Sequence, residues 1–381
     1  MPHAPFANPF RARTPALLSS AALQRIAASP SHRAPRVQDV RQSPCEELPA
    51  PPPGEAVAGR AFLVHGARWK LREVRLVAIA PFLDELANAA HLAFVTHLDL
   101  RGNRIGADGL KRLAESPYAH FTHLNLAANA LDDASLAILR APAFADLEEL
   151  SLARNAFRVC ELHLPKLRRL SVAGNALDSG VRLPELESLD LGECGGYVPA
   201  PSATLVRLNL AFNELPPGWL AGDFPRLREL SLRGNRLSQL PMLERLETLD
   251  VAVNVLGDAG ILGCDFSAMR RLNLAGNGVT DCGVQALAGR GAFAQLEHLS
   301  LAWNPCGDAC LPALADAPNL RTLDLTGTRI TLAGARLLTQ FDKLQMLTRG
   351  ENANLPPHAV QLLAARFGTT TTTPEGIVAW P

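Results

Sequence analysis

Apolar and polar positions alternate in one recurring arrangement through most of the chain, and the stretch Leu227 to Leu237, LRELSLRGNRL, shows it in full. Leu230 and Leu232 flank Ser231, so a short strand there sends the two leucines into a core and the serine to the opposite face. Asn235 follows where the chain leaves the strand. Its amide can satisfy backbone groups that the turn leaves unpaired and can bond from one coil to the next. A single coil cannot bury its leucines, whereas a stack of coils can.

Eleven copies follow in register, with Asn103, Asn129, Asn155, Asn175, Cys194, Asn213, Asn235, Asn254, Asn277, Asn304 and Thr328 at the turn position. The steps between them are 26, 26, 20, 19, 19, 22, 19, 23, 27 and 24 residues, so long copies sit at both ends and short ones in the middle. Long copies have room for a helix on the return path. The segments starting at Asp108, Asp281 and Asp308 each open on a candidate N-cap acid and place apolar residues three apart. Short copies carry Pro184, Pro216, Pro217, Pro225 and Pro241, which favour extended or single-turn returns. Helices side by side need about 10 Å and strands about 4.8 Å, a mismatch that bends such a stack with its strands inside. The spacing therefore predicts a horseshoe, more curved at its ends and flatter from Arg154 to Asn254.

This pattern resembles the leucine-rich repeat superfamily. Its long copies, LDLRGNRIGADGLKRLA at 98–114 and LNLAGNGVTDCGVQALA at 272–288, resemble the ribonuclease-inhibitor-like subtype, and the ending Ala364 to Gly368 resembles the close of bacterial intracellular leucine-rich repeat proteins. The resemblance covers about 71 to 368 and implies an α/β solenoid with a parallel sheet on the concave face and helices or extended returns outside. The short middle copies depart from the ribonuclease-inhibitor pattern, so that inhibitor's activity does not carry over.

The ends read differently. Eleven of the 29 prolines lie in residues 1–58, and Arg11, Arg13, Arg25, Arg33 and Arg36 all precede the first acid, Asp39. That composition predicts a disordered tail with at most a short helix over Ala16 to Ala28; an export or targeting segment is the alternative. Residues 59–94 form the expected N-terminal cap, with Phe62 and Trp69 packed there, a degenerate copy at Leu71 to Ile79 and a helix over Pro81 to Leu92. The array runs over 95–335. Residues 336–368 form the C-terminal cap, with a degenerate copy at Leu344, Leu347 and Asn352 and a helix over Pro357 to Phe367. A loose tail, 369–381, follows.

Lys plus Arg and Asp plus Glu are both 37, which argues against a general nucleic-acid or polybasic membrane surface. No run of about 18 apolar residues exists to span a membrane. The seven cysteines, 45, 160, 194, 264, 282, 306 and 310, are odd in number and scattered, which points to reduced thiols in a cytoplasmic compartment. No phosphate-binding, metalloprotease or nucleophile-elbow motif is present, so no catalytic residue and no cofactor are assigned. An enzyme would need a nucleophile such as Cys45 or Cys194 beside a base, and the spacing supplies none. Cys306 and Cys310, four apart, read as small buried residues rather than metal ligands. His97, His123 and His298 fall at equivalent outward strand positions and read as a solvated polar face rather than a metal site.

What remains is a binding surface. The outward strand column, Asp99, Asn125, Ser151, Ser171, Asp190, Asn209, Ser231, Asp250, Asn273, Ser300 and Asp324, is small and polar. Beside it, Arg154, Glu193, Phe212, Arg233, Val253 and Trp303 interrupt rows of Ala and Gly. Large aromatics and Arg supply most interface hot spots. The sequence therefore indicates a monomeric, non-enzymatic scaffold that grips a protein partner on these six residues. The alternative is an exported bacterial effector whose repeats capture a host protein.

Overall fold

In the computed structural model the chain divides into two units, Met1–Pro49 and Ala50–Pro381. The described residues are 50–368 apart from 53, 179–180, 183–184, 197–198, 216–223, 241, 244 and 351, and all fall in the second unit. Residues 1–49 of the expected 1–58 tail, the expected tail at 369–381, the helix at 16–28, and Pro184, Pro216, Pro217 and Pro241 lie outside them.

Fourteen short strands, from Ala56–Ala58 to Met346–Thr348, form one open parallel sheet among the described residues, each strand beside the next coil's strand. The first of them lies within the stretch assigned to the tail. Parallel in-register pairing follows from the repeat itself: every coil enters its strand in the same direction, and Leu230 lies beside Leu249, which lies beside Leu272. Both strand leucines of each coil point inward; Leu230, Leu232 and Leu249 are 0% exposed. Each such side chain contributes roughly 1.5–3 kcal/mol by burial.

The asparagine column closes the turns as its chemistry requires. Asn235 Nδ2 donates to the Leu210 carbonyl of the previous coil (2.8 Å) and to its own Leu232 carbonyl (2.9 Å). Its Oδ1 accepts from the Asn213 and Leu215 N–H groups. Cys194 keeps this role in weaker form. Its thiol reaches the Val172 carbonyl at 3.3 Å, and its sulfur, a weak acceptor, stands in for the amide oxygen toward the Asn175 N–H of the coil before. The caps join the same ladder: Asn103 accepts from Ile79 N–H (3.1 Å), and Asn352 accepts from Thr328 N–H (2.8 Å).

Return paths follow copy length. Helices Gly106–Ala114, Asp281–Gly289 and Leu332–Leu338 lie on long copies, and Leu311–Ala315 continues a 3₁₀ turn at Asp308–Cys310. Among the described residues no helix lies between Phe144 and Gly257. There the returns include a separate two-stranded sheet, Cys160–Glu161 with Val181–Arg182. The expected helix over Pro81 to Leu92 is broken into 3₁₀ turns around Leu83–Ala87. An unforeseen helix, Gly59–Trp69, covers the first coil and buries Phe62. Pro357–Phe367 forms the closing helix.

The three acids expected to cap helices do not do so. The N-cap positions are Ile105, Thr280 and Gly307. Asp281 and Asp308 instead reach sideways to the following coil: Asp281 accepts from Gly307 and Cys310 N–H, and Asp308 accepts from Thr331. Their carboxylates join coils rather than end helices, because the neighbouring turn presents unpaired N–H groups at that height.

Candidate functional site

Where each strand ends, the N–H of the residue before the asparagine donates to the next coil. Phe212 donates to the Arg233 carbonyl, Trp303 to Thr326 and Arg154 to Ala173, each at 2.7 Å. The backbone must then swing into the turn, and it does so through a left-handed conformation. φ is +54° at Arg154, +57° at Glu193, Phe212 and Trp303, and +60° at Val253. Glycine fills the same place at Gly102, Gly174, Gly234, Gly276 and Gly327. A non-glycine side chain there costs about 1–3 kcal/mol, and a β-branched one such as Val253 is the least suited.

Five of the six expected contact residues thus share one column, and Arg233 stands immediately before it in its own coil. The large ones are seated on the following coil's glycine. A Cβ added to Gly234 would lie 2.4 Å from Phe212 Cδ1, one on Gly327 2.5 Å from Trp303 Cε3, and one on Gly174 2.9 Å from Arg154 Cγ. Phe212 remains 50% exposed and Trp303 41%. Arg154 and Glu193 are exposed, Val253 and Arg233 half-buried. Arg233 Nη1 lies 3.8 Å from Asp250 Oδ2.

The outward strand column is less open than its composition suggests. It is half-buried from Asp99 to Asn209 but buried at Ser231, Asp250, Asn273, Ser300 and Asp324. Asp190 is held from both sides, by Ser171 Oγ and Asn209 Nδ2, each at 2.8 Å. Ser300 Oγ donates to Asp324 at 3.1 Å. Asp250 accepts from Ala252 N–H at 2.9 Å. Burial pushes its carboxyl above the ordinary range, with the Ala252 N–H and Arg233 acting against that.

Four of the buried thiols are poor nucleophiles. Burial pushes Cys160 up to about 12 and Cys194 and Cys264 up to about 11. A hydrogen bond with Cys306 and then burial raise Cys310. A thiol held protonated neither attacks nor ligates readily. All six described cysteines are unbonded, and Cys45 lies outside the described residues. No group of three potential ligands of a metal gathers among the described residues.

The histidine column contains more order than a solvated face. His97 and His123, partners across neighbouring strands, stack with ring centroids 3.8 Å apart and planes 14° from parallel. Arg169 Nη2 lies 3.0 Å from His123 Nε2. A guanidinium only donates, so that nitrogen accepts and the ring's proton sits on Nδ1, 2.9 Å from Thr122 Oγ1. Burial, His97 and Arg169 all lower the His123 pKa, against Glu149 and Glu148. The His97 ring repeats the arrangement on Thr96 Oγ1, also at 2.9 Å. His298 stands apart on a distant strand, where burial and Arg271 lower its pKa.

A groove of about 530 Å³ opens beside this pair, at the N-terminal end of the outward face. Its floor includes Arg75, which the sequence reading passed over. The only signal was an arginine at an outward strand position in a copy read purely as a cap.

Comparison with known proteins agrees with this architecture. Residues 91–114, 269–288 and 316–338 match the family described as Leucine Rich repeat. An internalin of Listeria monocytogenes superposes with a TM-score of 0.53 at 17% identity, covering 75% of this chain and 92% of that one. The mouse RP105/MD-1 complex superposes with a TM-score of 0.51 at 21% identity, covering 80% of this chain and 54% of that one. Repeat, ladder and sheet together define a leucine-rich repeat solenoid, a fold typical of protein–protein interaction modules. Among the described residues no helix is long and apolar enough to cross a membrane.

Proposed function

We propose that the chain is a non-enzymatic, monomeric scaffold that holds a protein partner on the outward face of its sheet, through Arg154, Glu193, Phe212, Arg233, Val253 and Trp303. One observation carries the reading. Phe212 and Trp303 occupy left-handed positions where glycine is unstrained, and both keep close to half of their surface exposed. A large aromatic so placed burdens the fold, so its use lies in what it presents. A rigid sheet supplies the preorganisation that makes such anchors effective. The effector reading rests on residues 1–58, of which 1–49 and 53 lie outside the described residues.

The test is affinity capture with the intact chain beside a Phe212→Ala, Trp303→Ala, Arg233→Ala triple variant, with Arg104→Ala as the control. The triple variant is expected to lose its partners while unfolding at the intact chain's temperature. Equal recovery of the same proteins by both would remove the site.

A further inference from the structure

The groove beside His97 and His123 has an unmet donor at its floor. Arg75 Nε is buried without a hydrogen-bond partner among the described residues, although its side chain as a whole is 41% exposed. The nearest acid is Asp99, at 3.9 Å. That carboxylate is already engaged by Arg101, through Nε at 2.7 Å, Nη2 at 2.5 Å and the backbone N–H at 2.9 Å. Arg75 is therefore a guanidinium fork whose acid is committed elsewhere, and such a fork is suited to a carboxylate.

The charge balance of the groove turns on one imidazole. Arg101 cancels Asp99, and Arg169 cancels Glu149 at 2.7 Å. Arg72 and Glu55, also on the lining, are of opposite sign. Glu148 acts on His123 and does not line the groove. That leaves Arg75 against Glu73, which lies 4.0 Å from His97 Nε2. With His97 neutral the groove is balanced. A proton on His97 Nε2 neutralises Glu73 and leaves the Arg75 charge uncompensated. His123 cannot serve in this way while Arg169 donates to it, so the two stacked rings have different duties.

We propose that this groove is a second binding site, which takes a carboxylate-bearing ligand on Arg75 and His97 and fills as the medium is acidified. Histidine is the side chain whose charge changes between about pH 5 and 8, and the linkage is reciprocal: an anion bound there favours the protonated ring. The site is independent of the Phe212 and Trp303 row, and the triple variant leaves it intact.

Calorimetric titration of the whole chain tests it with three short peptides. One is blocked at both ends and carries a Glu, its twin carries Gln instead, and the third has a free C-terminal carboxylate as its only acid. The Glu peptide is expected to bind at about pH 5.5 and about fivefold more weakly at about pH 7.5, with the Gln twin silent at both. Arg75→Gln is expected to weaken binding about tenfold. His97→Gln is expected to leave weak binding that no longer varies with pH. Uptake of either carboxylate source supports the site, and the tighter one identifies the source. The proposal is overturned by equal binding of the Gln twin, by pH dependence that survives in His97→Gln, or by no heat from either acidic peptide at millimolar concentration. Both side chains are partly exposed, and unchanged thermal unfolding of the two variants shows that the fold is kept.

Discussion

Thr331 in a helix-bearing coil and Arg168 in a short coil both reach for the coil beside them, with different chemistry. Asp308 accepts from Thr331 N–H at 2.8 Å and from its hydroxyl, and Asp258 does the same for Thr280, at 2.7 and 2.5 Å. Exposed ion pairs also join coils: Arg168 with Glu187, Lys166 with Asp146, both at 2.5 Å, and Arg158 with Asp178 along the short coils, and Arg112 with Asp84 and Arg270 with Glu297 among the helix-bearing ones. A carboxylate bonded to fixed backbone donors holds one geometry. An exposed pair of long side chains contributes little and is screened by salt. The middle of the array is therefore tied together mainly by its leucines and asparagines, and it is the stretch that holds Phe212.

Six substitutions probe that contrast, and the largest effect belongs to what the two kinds of coil share. Asn235→Ala in a short coil strands two carbonyls and two N–H groups and is expected to cost about 3 kcal/mol in urea unfolding. Asn304→Ala in a helix-bearing coil breaks the same kinds of bond, to the Leu274 and Leu301 carbonyls and from the Asn277 and Val279 N–H groups, and should cost the same within about 1 kcal/mol; a much smaller cost in either would remove the asparagine column as the common element. Next, Asp308→Ala is expected to cost about 2 kcal/mol and to speed amide exchange at Thr331, while Arg168→Ala costs less than about 0.5 kcal/mol. In 1 M salt the Arg168 effect should vanish and the Asp308 effect persist; parity between them would dissolve the distinction. Cys194→Asn replaces a weak sulfur acceptor with an amide oxygen for the coil before and is expected to add about 1 kcal/mol, read as a rise in the urea midpoint. Asp250→Asn, in the coil that also carries Asp258, has the smallest expected effect and a definite sign. Its folded carboxyl is raised, so the ionised form is penalised and stability is regained as pH falls from the folded value toward the unfolded one. The asparagine variant should be the more stable near neutrality and lose that advantage on acidification. An advantage that grows with acid would contradict the burial of this carboxylate.

The stack itself was legible because it rests on residue type at fixed spacing: leucines that must be buried and asparagines that must bond sideways. Features set by geometry between copies were not. Asp281 and Asp308 read as N-caps because their position along the chain is right, yet the nearest unpaired donors belong to the following coil. Phe212 and Trp303 stood out as large residues in a small-residue row, but no residue type announces a positive φ except glycine, which stands in the neighbouring copies. His97 and His123 were placed in one column, but their stacking and the proton held on His123 depend on Arg169, two strands further along the sheet. Arg75 escaped notice because the reason for its interest, an acid already taken by Arg101, is a relation among three side chains.

The left-handed column also sets a rule for what such a surface can display. Phe212 lies over Gly234 and Trp303 over Gly327, so an aromatic ring in one coil demands bareness in the next. With strands about 4.8 Å apart, anchors of this kind recur no more closely than about 10 Å, and Phe212 and Trp303, four coils apart, are separated by about 19 Å. A partner that reads both aromatics must present two receptive pockets at that interval, a dimension that can be sought on candidate surfaces before any of them is purified.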